Sequence, residues 1–368
     1  MDRQTTNPDK MEIEINLLSL HAQTRFRQLQ MKRIASIIAS CVMNMAVATT
    51  ATGQDITDSK RLSGEIYTEV NHGHRYYGNE RTIWDFPHIV GAATAEFGRG
   101  WSIEVELEYE RIHEDGEWCN DLKDNFSSNK LYVNKRWSDA LNIKFGIVDI
   151  PIGITNAGGP ALTIYDPESE SRIMPMTWHE AGAALHGQYK NVSWSVALLA
   201  YSDFTLSNTT MLGSAVTADL RPADGLRIGI GGFAGKPHHG MIHAFADCFD
   251  QQSGATFYCA LSADYEKNGI TADGSLIYRS ADGGRSFGAE IGYDIGSRLT
   301  AERISAIPFV RHDRTAHTAE PDMAKWTFGI NISPISNLTI KAEYGLRHLS
   351  GCETEKRIDA GIGYSIPF

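Results

Sequence analysis

The chain has 368 residues, and its 45 acidic residues outnumber its 34 basic ones, which gives a formal net charge of -11. This balance disfavours nucleic acid as a partner, because phosphate backbones are bound by clustered lysine and arginine. The five cysteines include no Cys-x-x-Cys pair, so the spacing of a structural zinc site is absent.

The N-terminal segment carries an export signal. Residues 1–30 show no period and precede a second methionine, which indicates an over-extended start outside the fold. Residues 31–53 begin with Met31-Lys32-Arg33, continue with a short apolar run and end in small residues, which predicts a signal peptide. Cys41 leaves a lipoprotein signal as the alternative. Export permits disulfides among four remaining cysteines, whose three possible pairings stay open: Cys119, Cys248, Cys259 and Cys352.

The mature region, 54–368, alternates apolar and polar residues in short segments. At the C-terminus Ile358, Ala360 and Ile362 alternate with Arg357 and Asp359, so that one strand face is apolar and the other polar. The same pattern predicts sixteen strands, at 62–70, 86–97, 101–112, 130–137, 141–150, 180–189, 192–201, 214–221, 226–234, 256–265, 270–279, 286–295, 303–311, 325–333, 338–348 and 355–368.

The connections between these strands alternate in length. Short turns such as Asn268-Gly269 carry residues that tolerate positive φ, whereas 114–128 and 151–178 are long and polar. Apolar-out strands of about ten residues joined in this way predict an all-β transmembrane antiparallel barrel in the bacterial outer membrane, surrounded by lipid. Periplasmic turns would be short and outer loops longer. Fourteen or eighteen strands remain open because His243–Phe249 could form a strand, and a secreted soluble β-sandwich or repeat protein is the other alternative.

Three short motifs carry a family resemblance. Phe145–Gly153, Ile307–Asp313 and Ile340–Tyr344 resemble segments of the phosphate-selective porin O and P family of outer-membrane channels. The resemblance implies a homotrimer of sixteen-stranded barrels through which small hydrophilic solutes or ions diffuse passively. Phosphate selectivity is not carried over, because the sequence has no dense run of lysine and arginine for an anion ladder and its net charge is acidic.

Alternation also predicts which side chains line the pore. On 101–112 the residues Ile103, Val105 and Leu107 take one face, and glutamates take the other. Carboxylates facing lipid are costly, so we expect them in the lumen. The predicted acidic set is Glu65, Glu69, Glu96, Glu104, Glu106, Glu108 and Glu110, and the basic set is Arg136, Lys144, Lys341, Arg347 and Arg357. The glutamate row predicts a preference for cations, with calcium or magnesium able to bridge its members.

The segment 151–178 is too long for an ordinary hairpin loop and would be the third outer loop. In the trimeric porins that this chain resembles, that loop folds into the barrel and narrows it. Four charged residues are therefore candidates for a constriction: Asp166, Glu168, Glu170 and Arg172. A solvated surface loop is the alternative.

Histidines invite two other functions. His72, His74, His238, His239 and His243 could bind zinc, but no carboxylate or cysteine lies at a diagnostic spacing, so we expect no metal and no cofactor. His312-Asp313 and His348 with Ser350 could serve a lipid- or peptide-cleaving barrel, yet the first pair points to opposite strand faces and the second lacks a third partner. We therefore predict no catalytic residues. The alternatives to a porin are a barrel hydrolase and a plugged, adhesin-like barrel.

Overall fold

The computed structural model describes residues 61–78, 80–119, 126–201, 210–236, 255–296, 304–317 and 321–368. Outside these residues lie the expected start and signal peptide, residues 54–60, Cys248, the segment His243–Phe249, and the histidines at 238, 239 and 243. Within the described ranges, the search for a helix with the length and hydropathy of a membrane span finds none.

The described chain forms one antiparallel sheet of seventeen strands, one of which, β4, is a two-residue extension of the β3 hairpin. The strands are β1 Arg61–Tyr77, β2 Arg81–Gly98, β3 Trp101–Glu114, β4 Glu117–Trp118, β5 Phe126–Arg136, β6 Asn142–Asp149, β7 His179–Tyr189, β8 Val192–Tyr201, β9 Thr210–Ala223, β10 Leu226–Gly235, β11 Thr256–Lys267, β12 Ile270–Arg279, β13 Arg285–Tyr293, β14 Ser305–Ala316, β15 Met323–Ile335, β16 Leu338–Leu349 and β17 Glu355–Pro367. A four-residue helix, α1 Glu168–Ser171, lies between β6 and β7.

The last strand closes the sheet on the first. Glu65 lies opposite Pro367, and Asn71 lies opposite Gly361 in the antiparallel ladder of β1 and β17. The backbone N–H of Phe368 donates to the carbonyl of Gly64 at 2.9 Å, which continues the ladder to the chain end. Closure leaves the sixteen long strands without an edge, and the predicted sixteen-stranded barrel is confirmed.

The outward face of the barrel is apolar. Leu198 and Ile230 are more than half exposed, as are Ile358 and Phe368 at the C-terminal strand. Exposed tryptophans stand on the same outer surface, among them Trp84, Trp101, Trp137 and Trp326. Large apolar side chains on every side of a closed barrel need an apolar surround, and interfacial aromatics are typical of membrane barrels. The surface is therefore that of a barrel in lipid and not of a soluble sandwich.

The first hairpin is longer than its apolar pattern predicts. β1 continues to Tyr77, and only residues 78–80 separate it from β2, where the sequence suggested a loop to about residue 82. Arg75 pairs with Arg81 and His72 with Trp84 in this extension. The polar pairs extend the ladder past the apolar stretch, and backbone hydrogen bonding there does not require an apolar face.

Candidate channel interior

The segment 150–178, called the inner loop from here on, enters the barrel. Its backbone N–H at Leu162 donates to Glu290 Oε1 of β13 at 2.8 Å, and the N–H of Ile164 donates to Glu343 Oε2 of β16 at 3.0 Å. Both glutamates lie on the side of their strands opposite the apolar outer face. The inner loop therefore crosses the lumen against the inner wall.

The helix α1 is held by cations from two strands. Glu168 accepts a hydrogen bond from Arg347 Nε at 2.6 Å and lies 3.1 Å from Lys325 Nζ. Arg347 also pairs with Glu355 at 3.0 Å, and Glu355 with Arg75 at 3.0 Å. Burial alone would raise the pKa of Glu168, but the charges of Arg347 and Lys325 outweigh it and hold the pKa well below its usual range. The loop is thus tied to β15 and β16 by a buried ionic network.

A second network fixes the wall beneath α1. Arg311 of β14 lies 3.1 Å from Asp273, 3.0 Å from Asp313 and 3.8 Å from Glu290. The Ser169 hydroxyl lies 3.4 Å from Arg311 Nη2, which joins the loop to this cluster. Three carboxylates around one guanidinium would repel each other in its absence, so Arg311 holds this part of the wall together.

The inner loop is also attached by apolar contacts. Trp178 packs against Phe233 and Tyr258, with ring centroids 4.7 and 5.3 Å apart, and Ile150, Ile152 and Met174 belong to the same buried cluster. Phe233 and Tyr258 are inward-facing side chains of β10 and β11. A dry patch therefore exists inside a lumen that alternation alone would predict to be wet.

Three of the four constriction candidates are buried. Glu170 accepts hydrogen bonds from the backbone N–H groups of Ile154 and Thr155 at 2.8 and 3.0 Å, so it shapes the loop itself. Glu168 is bound to the wall as described, and Arg172 is buried. Asp166 is half-buried. Glu168 therefore ties the loop to the wall, and Glu170 ties two parts of the loop to each other.

The acidic residues of β1–β3 face the interior and have partners that the sequence reading missed. The Tyr132 hydroxyl donates to Glu104 at 2.5 Å, and Lys130 Nζ lies 2.7 Å from Glu106. Glu108 and Glu110 are buried, while Glu65 and Glu96 are exposed towards the end of the barrel that carries the short turns. Glu69 is half-buried. The glutamates of β3 are thus not a row of uncompensated charges, because Lys130 forms an ion pair with Glu106 and Tyr132 donates a hydrogen bond to Glu104.

The predicted basic set divides into two groups. Arg136, paired with Asp139, and Lys144, paired with Asp149, line a cavity of about 400 Å³ at the short-turn end together with Asn142, His186 and Asp219. The others contact the inner loop or its anchors: Lys341 donates to the carbonyl of Thr163 at 2.8 Å, Arg347 binds Glu168, and Arg357 pairs with Asp359 at 2.6 Å beneath the Tyr165 ring.

The sequence analysis did not identify several inward charged residues, although the alternation along their strands would have predicted them. Arg311, for example, alternates with the outward Val310 and His312. The missed basic residues are Arg75, His88, Lys130, Arg227, Arg279, Arg311 and Lys325, and the missed acidic ones include Asp85, Asp273, Glu290, Glu343, Glu355 and Asp359. Asp85 and His88 were hidden for a different reason, since they are three residues apart and strict alternation would place them on opposite faces.

The histidines named from the sequence are not gathered at one site. His72 stacks on Trp84 at 4.1 Å, and the His74 ring lies 3.0 Å from Thr82 Oγ1, both on the outward parity of β1. His312 stacks on Trp326 at 4.3 Å while Asp313 is buried inside, which confirms that this pair points to opposite faces. His348 lies 3.3 Å from Thr354 Oγ1. Among the described residues, Cys119, Cys259 and Cys352 are free.

No protein-family model and no curated protein sequence matches the chain. Solved structures do: OmpF of Salmonella typhi, solved with daunomycin, is 12% identical with a TM-score of 0.58, over 84% of this chain and 98% of that one. An anion-selective porin from Comamonas acidovorans is 11% identical with a TM-score of 0.55, over 84% and 100%. OmpT, an outer membrane protein of Vibrio cholerae in its trimer form, is 7% identical with a TM-score of 0.54, over 84% and 100%.

At these identities the likeness concerns the fold. Together with the closed sixteen-stranded sheet and the apolar outer surface, it defines a bacterial outer-membrane β-barrel of porin type.

Proposed function

We propose that this barrel is an outer-membrane porin through which small hydrophilic solutes or ions diffuse passively. The observation that carries the proposal is the position of the inner loop, which is fastened inside the barrel through Glu290, Glu343 and the cations around Glu168. A long loop fixed in the lumen narrows a channel. Tyr165 of the loop also packs against Ile83 of β2 and Ile112 of β3, and water-exposed charge remains nearer the short turns at Glu106 and Lys130.

The charges on the inward face of β1–β3 favour cations. Glu65 and Glu96 are exposed and Glu104 and Glu106 are half-buried, all on the inward face of β1–β3. Two cations face these four carboxylates: Lys130, which is 2.7 Å from Glu106, and Arg61, which lies opposite Glu96 in the β1–β2 ladder. Fixed carboxylates in a confined aqueous passage raise the local concentration of cations and lower that of anions. We therefore expect a moderate cation preference, and no phosphate selectivity.

The proposal includes a family relationship and an assembly. The proposed relationship to the porin O and P family rests on Phe145–Gly153, Ile307–Asp313 and Ile340–Tyr344. In the structure these segments are the end of β6 with the entry to the inner loop, and parts of β14 and β16. A homotrimer is the expected assembly; it is supported by the family resemblance and by the trimer form of the Vibrio cholerae protein. We further propose that the barrel has no enzymatic activity.

The test is the reversal potential of refolded residues 54–368 in a planar bilayer under a salt gradient. Stepwise conductance with cation preference is expected, and the double variant Glu104→Gln/Glu106→Gln should move the reversal potential towards zero. Glu117→Gln, an exposed glutamate in the β3–β5 connection, is the matched control and should leave it unchanged. Anion preference would refute the charge argument. Absence of conductance would refute the porin and leave the hydrolase and adhesin alternatives.

A further inference from the structure

A bulge in β2 brings three ligand-type side chains together on the inner wall. Glu69 of β1 lies opposite His88 and Asn71 lies opposite Asp85, so a two-residue step on β1 faces a three-residue step on β2. The extra residue turns both Asp85 and His88 into the lumen, which a regular strand would not do. Glu69, Asp85 and His88 are called the bulge cluster below.

The spacing of the bulge cluster suits a bound cation. His88 Nδ1 lies 2.9 Å from Glu69 Oε1 and 3.0 Å from Asp85 Oδ2, and one ligand atom from each of the three residues falls within 4.8 Å of the others. Ligands at right angles around a metal with bonds of about 2.1 Å lie about 3.0 Å apart. The imidazole nitrogen therefore stands from each carboxylate oxygen at the distance of neighbouring octahedral positions, and tetrahedral zinc would need these atoms to separate by about 0.4 Å.

The surroundings orient these side chains as outer partners do in metal sites. His88 Nε2 lies 2.7 Å from Glu108 Oε1, and Asn129 donates to the other oxygen of Glu108 at 2.6 Å. The Tyr67 hydroxyl donates to Glu69 Oε2 at 2.6 Å. A carboxylate that accepts the Nε2 proton leaves the Nδ1 lone pair directed at Glu69 and Asp85, which is the carboxylate–histidine–metal arrangement.

One atom of the cluster lacks a partner. Asp85 is 3% exposed, and its Oδ1 makes no hydrogen bond to any described residue, while Oδ2 accepts from Asn71 at 3.0 Å. A buried carboxylate oxygen without a partner is costly. The alternative occupant, an imidazolium proton on Nδ1, can serve one of the two facing carboxylates fully and does nothing for Oδ1.

We propose that Glu69, Asp85 and His88 bind one divalent transition-metal ion of the zinc or manganese class. The imidazole nitrogen favours such an ion over calcium and magnesium, which the glutamate row alone would suggest. The Glu69 side chain is 18% exposed and gives access from the lumen. Metal binding displaces any proton on Nδ1, and the ion's two charges offset the carboxylates of Glu69 and Asp85, with Glu108 left as acceptor for the Nε2 proton.

The experiment is equilibrium dialysis of the refolded, untagged barrel against Zn²⁺ and, separately, Mn²⁺. One ion per chain is expected. Asp85→Asn and His88→Gln should each weaken binding at least about tenfold, and Glu108→Gln, which acts through His88, by about tenfold. Glu106→Gln is the matched control, because it lies on the same face of β3 and contacts Lys130 instead of the cluster. A large excess of Ca²⁺ should not displace Zn²⁺.

X-ray absorption at the zinc edge of the wild-type protein makes the test independent of whether the variants fold. A shell of one imidazole nitrogen with oxygens supports the proposal, and a sulfur-containing or all-oxygen shell overturns it. Absence of zinc binding, or undiminished binding by folded His88→Gln, overturns it equally. Neither result bears on conductance, so failure of the metal site and failure of the porin proposal are distinguishable.

Discussion

Two parts of the inner wall carry the same residue types and have opposite environments. The covered wall, β11–β17, holds Arg311 at 1% exposure, with Asp313 and Asp359 equally buried. The open wall, the part of β3 and β5 nearer the short turns, holds Lys130 and Glu106 with side-chain exposures of 35% and 20%. Alternation places all of them inward. What separates them is the inner loop, which packs on the first wall and, through Tyr165, on Ile83 and Ile112, but leaves Lys130 and Glu106 partly exposed to water.

Because burial differs between the two walls, ion pairs of the same residue types have different effects in them. A buried ion pair is weak evidence for stability as such, but removing one partner leaves an uncompensated charge and is strongly destabilising. An exposed pair contributes little to stability and acts on mobile ions instead. The covered wall therefore fixes the loop, and in the proposed porin the open wall is the part that meets the solute.

Replacing Arg311 by Met should destabilise the barrel most. The substitution leaves Asp273, Asp313 and Glu290 buried around an apolar side chain, which costs on the order of 3–5 kcal/mol. The midpoint of urea unfolding, followed by heat-modifiable gel mobility, measures the effect. Arg136→Met is the control, since its pair with Asp139 is exposed and should cost less than about 1 kcal/mol. Equal losses in the two variants would remove the distinction between the walls.

Replacing Glu168 by Gln should loosen the inner loop while the barrel stays closed. Arg347 and Lys325 would lose the carboxylate that ties α1 to β15 and β16, whereas the apolar contacts of Trp178 remain. We expect larger or noisier single-channel conductance, recorded in planar bilayers. Asp224→Asn, at an exposed turn pair with Lys267, is the control and should leave the current trace unchanged. A trace identical to wild type for Glu168→Gln would mean that the ionic network does not position the loop.

Acidification should weaken the ion pairs that Glu168 forms with Arg347 and Lys325. The pKa of Glu168 is lowered in the folded barrel from its ordinary value of 4.5, so its contribution to holding the loop is complete above about pH 4.5 and is lost as the pH falls towards the lowered folded value. Wild-type conductance noise should therefore rise on acidification below that point, and the rise should be smaller in Glu168→Gln. The Lys267 hydrogen bond also lowers the pKa of Asp224, but this pair is fully exposed and its titration should not change the current.

The alternation of apolar and polar residues was sufficient to predict the fold, because a strand between lipid and the lumen needs an apolar outer face and tolerates a polar inner face. β12 was predicted with its observed bounds, Ile270–Arg279, since every outward residue there meets lipid and every inward one does not. β1 was predicted too short, because past Val70 the strand leaves the apolar stretch and continues on backbone pairing, which the side chains do not encode.

The contacts of the inward charges were harder to predict from alternation than the strands. Parity identified Glu104 and Glu106 as inward, but it did not reveal that Arg347 and Lys341 would be bound to the inner loop, because that contact joins residues far apart in the chain. The pairing of Asp85 with His88 was hidden by the bulge, which changes parity within one strand. Tertiary contact, not local pattern, decides which inward charge meets water.

Replacing Lys130 by Gln should have the smallest effect on stability, and it tests directly whether the open wall acts on ions. Because the Lys130–Glu106 pair is partly exposed, its loss should change stability by less than about 1 kcal/mol. The same loss leaves Glu106 without its cation in the passage, so the reversal potential should shift further towards cation selectivity, by a few millivolts. Lys190→Gln, which changes an exposed lysine at the β7–β8 turn, should shift neither quantity. A stability loss comparable with that of Arg311→Met would show that the open wall is structural after all, whereas a selectivity shift without a stability change would separate the two walls by function as well as by exposure.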